Sequence, residues 1–149
     1  MSNDFSNVGS LLTPFVGAAR DLQREINGAY TRTKTALNKE GIFGLSESSL
    51  EVLRLILEFS DQCSSPLEIA EQGIMDKGAF NRCLTSLEEN EHVTLEQKDN
   101  KITSVALTDE GRSIAALFQE KLEQELEKLL ESKGLERLAG LHTQYQSPA

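Results

Sequence analysis

Apolar residues recur at helical spacing over most of the chain, and short polar breaks divide that pattern into successive helices. The first apolar stripe runs from about Pro14 to Lys39, with Thr13 as the expected N-cap and Pro14 at the first helical position. The second helix begins after Ser46, which we interpret as its N-cap, and reaches about residue 60. Helices with such stripes must pack against other helices.

The letters SPLE, which follow the polar break SDQCS, predict the start of a short helix. They form a capping box, in which the Ser65 hydroxyl accepts a hydrogen bond from the Glu68 N–H while the Glu68 side chain reaches back to Ser65. We expect this helix to stop near residue 73. The residues expected to face inward are Leu67, Ile69 and Ala70.

A turn of only three residues, 73–75, separates this helix from the next N-cap, Asp76. Two helices joined by so short a turn cannot fold back antiparallel, so they must cross steeply, as in a helix-turn-helix. The second of the two helices has apolar residues at i, i+3, i+4 and i+7, which predicts one buried face. These residues are Phe80, Cys83, Leu84 and Leu87.

Strand-like alternation of apolar and polar residues follows in the stretches HVTLEQ and ITSVAL. Between them, Asp99 and Asn100 tolerate the positive φ that a tight hairpin turn requires. A helix-turn-helix followed directly by a β-hairpin is a winged helix. The alternating positions are Val93 and Leu95 in the first stretch and Thr103, Val105 and Leu107 in the second.

The letters LTDEG open a further long helix, with Thr108 as N-cap and two acidic residues in the first turn, where the positive end of the helix dipole favours them. Its apolar stripe reaches about residue 131, and Lys133-Gly134 is the expected stop. A last short helix is predicted after it. The apolar residues of that helix are Leu135, Leu138, Ala139 and Leu141.

The order of these elements resembles the MarR family of bacterial transcription regulators over roughly residues 15–142. SPLEIAEQ is similar to that family's first helix-turn-helix helix, and MDKGAFNRCLTSLEEN is similar to its recognition helix. KDNKITSVALTDEG resembles the wing and the leucine-threonine-x-x-glycine start of the next helix. We therefore predict a mainly α fold with a small β-hairpin wing, a winged helix-turn-helix with N- and C-terminal dimerisation helices.

We interpret residues 1–149 as a single domain, with the winged-helix lobe at about 46–107 and dimerisation helices at about 14–40 and 108–145. The first helix and the last two helices have apolar stripes that the small winged lobe does not cover. This favours a homodimer, although packing of these stripes within one chain is the alternative. The resemblance implies a dimeric regulator of transcription that binds a pseudo-palindromic operator in double-stranded DNA. Such regulators often release DNA when a small ligand or oxidant acts near the junction of the two lobes.

Charge is the main argument against DNA binding. The chain has 15 basic and 24 acidic residues, a net charge of −9, and the segment 61–91 has two basic residues against seven acidic ones, or −5. Because DNA binding depends on cations placed at phosphates, the charge of the contacting face matters more than the total. Three of the acids, Glu88, Glu89 and Glu91, lie at the far end of a helix that DNA readers insert by its N-terminal part.

Candidate DNA-binding residues lie on the predicted recognition helix and at the wing. Arg82 is suited to bidentate pairing with guanine and Asn81 to pairing with adenine. Lys98 and Lys101 flank the wing tip, where they can contact phosphates. The full set that we predict is Lys77, Gly78, Asn81, Arg82, Thr85, Lys98 and Lys101.

The chain departs from the usual MarR pattern at several of these positions. Gly78 and Ala79 stand where serine or threonine is usual, and Glu91 stands where a glycine is common after the recognition helix. Leu95 replaces an arginine that often precedes the wing. Lys101 replaces the wing-tip arginine, and lysine lacks the planar fork that suits a narrow minor groove. The alternative function is therefore an acidic winged-helix dimer that docks on a basic or DNA-binding protein and restrains it.

Other classes of function find little support. The chain has no glycine-rich phosphate loop and no nucleophile elbow, and His92 and His142 are isolated, so we expect no enzyme, metal site or cofactor. No apolar run is long enough to cross a bilayer and the N-terminus is unlike a signal peptide, which predicts a cytoplasmic protein without a membrane partner.

Cysteine chemistry and a regulatory ligand are secondary hypotheses. Cys83 is expected to be a small core residue, and Cys63 is either inert or a redox sensor. A small-molecule effector would lie in a crevice between the lobe and the dimer helices. Tyr30 and His92 are either polar groups that line this crevice or structural residues, and the ligand-binding residues stay unknown.

Overall fold

The computed structural model describes residues 5–133, with side chains from Leu11 to Ser132. Within that range it contains five helices and one two-stranded antiparallel hairpin, so the predicted fold class, mainly α with a β-hairpin wing, is confirmed. The elements are α1 (Phe5–Lys39), α2 (Glu47–Phe59), α3 (Pro66–Gln72), α4 (Lys77–Glu89), β1 (Val93–Lys98), β2 (Lys101–Leu107) and α5 (Asp109–Lys133). The predicted stop at Gly134 and the last short helix lie outside the described residues.

The chain divides into two compact units. One comprises the residues up to Arg32 and from Gln124 onward, and the other comprises Thr33–Glu123. In the second unit α2 packs against α3, α4 and β2, which places the hydrophobic core beneath the helix-turn-helix. The side chains fully buried in this core include Leu50, Val52, Leu53, Ile56, Phe80, Leu84, Leu87 and Val93.

The predicted start of the first helix was wrong, because α1 begins at Phe5 and Pro14 lies inside it. A proline inside a helix removes one hydrogen bond and costs about 3 kcal/mol, whereas a proline in the first turn costs little. For this reason the letters Thr13-Pro14 are typical of a helix start. The apolar period nevertheless extends upstream of Pro14, because Leu11 precedes Phe15 by four residues and is in phase with it. Continuity of that stripe, rather than the local cap signal, indicates the longer helix.

The three predicted caps around the helix-turn-helix are confirmed. The Ser46 hydroxyl accepts from the Ser49 N–H at 3.0 Å. Ser65 accepts from the Glu68 N–H at 3.3 Å. The Asp76 carboxylate accepts from the Ala79 N–H at 2.9 Å, so its charge is directed at its own helix.

Two details of the short helix α3 differ from the prediction. The Glu68 carboxylate accepts from the Ser64 N–H at 3.0 Å and from the Ser64 hydroxyl at 2.9 Å, not from Ser65. Ser64 offers two donors, its N–H and its hydroxyl, and each binds one oxygen of the carboxylate. The Ser64 N–H, followed by the Ser64 hydroxyl, holds the pKa of Glu68 below its ordinary value. Ile69 and Ala70 face inward as expected, but Leu67 is 40% exposed.

A glycine makes the tight turn between α3 and α4 possible. A Cβ added at Gly73 would lie 2.4 Å from Leu55 Cδ1, so a larger residue would force the buried Leu55 side chain to move. Ile74 then takes a left-handed conformation, with φ of 52°, and the Met75 N–H donates to the Ala70 carbonyl at 2.9 Å. The predicted three-residue turn is confirmed.

The hairpin turns at Asp99 and Asn100, whose φ values of 54° and 63° confirm the predicted tight turn. The register shifts between Glu96 and Gln97, because Glu96 pairs with Ser104 while Gln97 pairs with Ile102, which leaves Thr103 unpaired as a β-bulge. The strict alternation expected from the sequence places the Thr103 side chain on the same face of the hairpin as Val105. The bulge moves Ile102 to that side instead, where it is half-buried.

The letters LTDEG join the wing to α5 through a set of short contacts. The Thr108 hydroxyl accepts from the Gly111 N–H at 3.0 Å, which confirms it as N-cap, and donates to the Glu91 carbonyl at 2.8 Å. The Thr108 N–H donates to the His92 carbonyl at 3.1 Å. A Cβ on Gly111 would lie only 1.9 Å from the His92 carbonyl oxygen. Glycine is therefore required where α5 crosses the start of β1.

Glu91 occupies a left-handed backbone position, with φ of 62°, at the site where MarR-like sequences commonly have glycine. We expect Glu91→Gly to raise the free energy of unfolding by about 0.5–1 kcal/mol, since glycine adopts this conformation without strain. Glu91→Ala removes the same charge but keeps the strain, so it should not stabilise. Urea unfolding of both variants checks this, and equal gains for both would attribute the effect to charge.

Candidate nucleic-acid interface

A groove of about 740 Å³ runs between the helix-turn-helix and the wing, wholly inside the unit Thr33–Glu123. One wall is formed by the start of α3 and the outer side of α4, and the other by the tip of the hairpin. Its lining residues are Ser65, Pro66, Leu67, Ala70, Lys77, Phe80, Asn81, Thr85, Gln97, Asn100, Lys101, Ile102 and Thr103.

The groove is locally basic although the chain is acidic. Lys77 on the helix wall and Lys101 on the wing wall are its two charged lining residues, and no acidic residue lines it. Asp76, which precedes the helix wall, directs its carboxylate to the Ala79 N–H. The lining therefore carries two positive charges, in contrast to the −5 of the segment 61–91. The sign of the charges on the contacting face matters more for binding a polyanion than the total charge.

The acids that dominate the segment charge lie elsewhere. Glu88, Glu89 and Glu91 are exposed at the C-terminal end of α4 and none of them lines the groove. Glu68 is held by Ser64 on the outer side of α3. Lys77 and Glu89 are the first and last residues of α4, so the α4 carboxylates lie at the opposite end of the helix from the groove lysine, about one turn beyond Thr85.

Four of the seven predicted site residues line this groove and three do not. Lys77, Asn81 and Thr85 follow one another at i, i+4 and i+8 along the helix wall, and Lys101 faces them from the wing. The residues outside the lining are Gly78, Arg82 and Lys98.

Arg82 lies on the exposed side of α4, next to Gly78. A Cβ added at Gly78 would lie 3.4 Å from Arg82 Nη1, so the guanidinium folds back toward the first turn of the helix. Winged-helix proteins that read DNA insert this N-terminal part of the recognition helix. The same Cβ would lie 3.2 Å from Asp76 Oδ2, so the absent side chain at Gly78 leaves room for both the guanidinium and the capping carboxylate.

Sequence reasoning missed part of the wing wall. Gln97 and Thr103 line the groove together with Asn100, which had been identified only as a turn residue. The signal that could have found Gln97 is strand alternation, because it lies on the same side as Val93 and Leu95. The β-bulge that brings Ile102 opposite Gln97 leaves no such signal.

The other candidate groups are placed as follows. Cys63 is half-buried beside a cavity of about 160 Å³, and Cys83 is half-buried rather than fully in the core. His92 is buried, with Nδ1 at 3.9 Å from a Glu110 carboxylate oxygen. In the described part of the chain, no three metal-ligating side chains cluster. Among these residues, too, no helix has the length and apolar character to span a membrane.

Several solved structures share this fold. Staphylococcus aureus MarR in complex with salicylate and kanamycin matches with a TM-score of 0.61 and 16% identity, over 94% of this chain and 93% of that chain. NadR in complex with 4-hydroxyphenylacetate matches with a TM-score of 0.58 and 18% identity, over 91% of each chain. A MarR family protein from Bacillus stearothermophilus matches with a TM-score of 0.56 and 16% identity, over 98% of this chain and 100% of that chain.

The fold is therefore that of the MarR-type winged helix over nearly the whole chain. No family model matches the sequence, and no curated protein is similar enough in sequence to match it.

Proposed function

We propose that this protein is a MarR-like transcriptional regulator that binds a pseudo-palindromic operator in double-stranded DNA as a homodimer. The observation that carries the proposal is the acid-free groove between α4 and the wing, with one lysine on each wall. In this proposal, one strand of the DNA backbone lies between these walls while α4 faces the major groove. The likeness in fold to proteins named as transcription regulators supports the same role.

The apolar surface near the start of α1 supports the homodimer. Leu11, Leu12 and Phe15 are 65%, 60% and 72% exposed, and they occupy neighbouring turns of one helix. A second copy that covers this stripe removes an apolar surface that a soluble monomer would leave in water. In this proposal the lobe at about 46–107 contacts DNA, and the helices at about 14–40 and 108–145 join the two protomers.

Arg82 is the residue that we propose for base readout. Arg82→Ala should relax the base preference at one position of each half-site and weaken the preferred sequence by about 1–3 kcal/mol per contact. Binding to unrelated sequences should change much less. Competition between the preferred duplex and single-base variants measures this, and equal weakening of all duplexes would assign Arg82 to the backbone instead.

A small phenolic acid is the effector class that we propose. Two structures of similar fold are complexes with 4-hydroxyphenylacetate and with salicylate, which are aromatic acids of this class. A ligand that binds only the folded protein raises its melting temperature by mass action. Thermal shift against a panel of phenolic acids tests the proposal, and unchanged melting temperatures across the panel would count against it.

The second candidate function is an acidic dimer that restrains a basic protein partner. Glu88, Glu89 and Glu91 favour it, because they form an exposed run of carboxylates at the end of α4. The two functions separate when duplex DNA is titrated at low salt, where electrostatic binding is strongest. Binding that weakens as salt rises supports the DNA role. Absence of binding at 50 mM salt, together with capture of a basic protein by the dimer, would support the partner role.

A further inference from the structure

The two threonines of the groove have already used their hydroxyl protons. The Thr85 hydroxyl donates to the Asn81 carbonyl at 3.1 Å, and the Thr103 hydroxyl donates to the Glu96 carbonyl at 3.1 Å. A phosphodiester oxygen only accepts hydrogen bonds, so these hydroxyls offer it nothing in their present rotamers.

The wing wall provides unused donors of another kind. Gln97 and Asn100 are exposed, they line the groove, and neither side chain forms a hydrogen bond within the described residues. Each carboxamide carries two N–H donors. Asn100 is held in the hairpin turn next to Lys101, and Gln97 is held in the ladder opposite Ile102, so both backbones are ordered before any ligand arrives.

We propose that the Gln97 and Asn100 carboxamides bind the phosphodiester backbone of a DNA strand lying in the groove, as neutral partners of Lys77 and Lys101. This inference rests on the proposed function. Phosphate contacts from asparagine and glutamine fix the position of a protein on DNA without reading its sequence. Neutral donors also strengthen binding without adding charge, which suits an interface with two lysines per protomer.

The proposal has a consequence for salt dependence. Only cations that neutralise phosphates release counterions, at a slope of about −0.9 per contact in a plot of log K against log salt. The four groove lysines of a dimer would give a slope of about −3.6. Bonds from the four carboxamides add affinity but leave that slope unchanged.

The test uses variants that preserve the hairpin. Asn100→Gly removes a carboxamide at a positive φ that glycine adopts freely, and Gln97→Met keeps the length of the side chain without its donors. Each variant should weaken binding roughly tenfold for all duplexes alike, because the dimer loses two contacts. The slope should stay at the wild-type value. Lys101→Ala, by contrast, should flatten the slope, and Gln62→Met, at an exposed position after α2 and outside the groove, should change neither quantity.

Fluorescence anisotropy at several salt concentrations gives affinity and slope together, and circular dichroism checks that each variant is folded. Failure of the wild-type protein to bind duplex DNA would remove the proposed function, and this inference with it. Wild-type binding that the double variant Gln97→Met and Asn100→Gly retains at full affinity would overturn this inference alone. A flattened slope in the double variant would also overturn it.

Discussion

Replacing Gly111 by alanine is expected to lower the free energy of unfolding by about 3 kcal/mol, a large part of the roughly 5–15 kcal/mol that a native domain typically has. The added Cβ would lie 1.9 Å from the His92 carbonyl oxygen and 2.9 Å from its carbon. That carbonyl cannot rotate away without losing the 3.1 Å hydrogen bond that it accepts from the Thr108 N–H. The strain therefore separates the first turn of α5 from the start of β1.

Urea unfolding followed by circular dichroism measures this effect. Gly17→Ala is the matched control, because Gly17 lies inside α1 and a Cβ there meets nothing within 4 Å among the described atoms. Alanine should raise the stability at Gly17 by up to about 1 kcal/mol through helix propensity. Equal unfolding midpoints for Gly111→Ala and the wild type would show that α5 shifts freely against the wing.

The double substitution of Lys77 and Lys101 by alanine is expected to reduce DNA affinity on the order of a thousandfold at 0.1 M salt, since a dimer would lose four phosphate contacts. These two lysines are the whole charge of the groove lining. The slope of log K against log salt should flatten by about 3.6. Both effects should be the same for every duplex, because phosphate contacts do not read bases.

A control with the same loss of charge separates the groove from the net charge of the molecule. Lys39→Ala with Lys128→Ala removes two exposed lysines that do not line the groove. Both lie in the proposed dimerisation helices, so size-exclusion chromatography checks that this variant is still a dimer. This variant should keep most of the wild-type affinity and slope. Should the two double variants weaken binding equally, long-range charge would account for the effect and the groove would have no special role.

Much of the winged lobe could be predicted from sequence because its signals are local. The N-caps Ser46, Asp76 and Thr108 each bind an N–H two or three residues further on, so the letters alone identify them. The hairpin turn was equally clear, since Asp99 and Asn100 both tolerate positive φ.

The predictions that were wrong or missing have physical causes that the pattern of residues along the sequence does not reveal. The capping interaction of Glu68 went to Ser64, because that residue offers two free donors at once. The β-bulge at Thr103 depends on the pairing of two strands and has no residue signature here. Thr13-Pro14 is typical of a helix start, but α1 begins at Phe5 because its apolar stripe continues past Pro14.

Part of the candidate site could also be predicted from local signals in the sequence. Helical spacing placed Lys77, Asn81 and Thr85 on one side of α4, and the structure brings Lys101 across from them. The contribution of Gln97 depends on how the hairpin folds toward α4, which is a tertiary arrangement. The roles of these residues in binding DNA stay predictions.

A net charge of −9 and a basic groove are compatible because α4 separates charges along its length. Its first turn carries Lys77, and its last turn carries the exposed Glu88 and Glu89. At physiological salt the Debye length is about 8 Å, shorter than a helix of 13 residues at about 1.5 Å per residue. The acids at the far end are therefore screened from a phosphate bound at Lys77.

Selection of bound duplexes from random double-stranded DNA at 50 mM salt tests the central claim most directly. The wild-type protein should enrich a pseudo-palindrome whose half-sites lie about 10 base pairs apart, and the Lys77→Ala, Lys101→Ala variant should enrich nothing above background. Failure of the wild type to enrich any sequence, or enrichment by both proteins of the same sequence, would contradict the assignment of the groove to DNA.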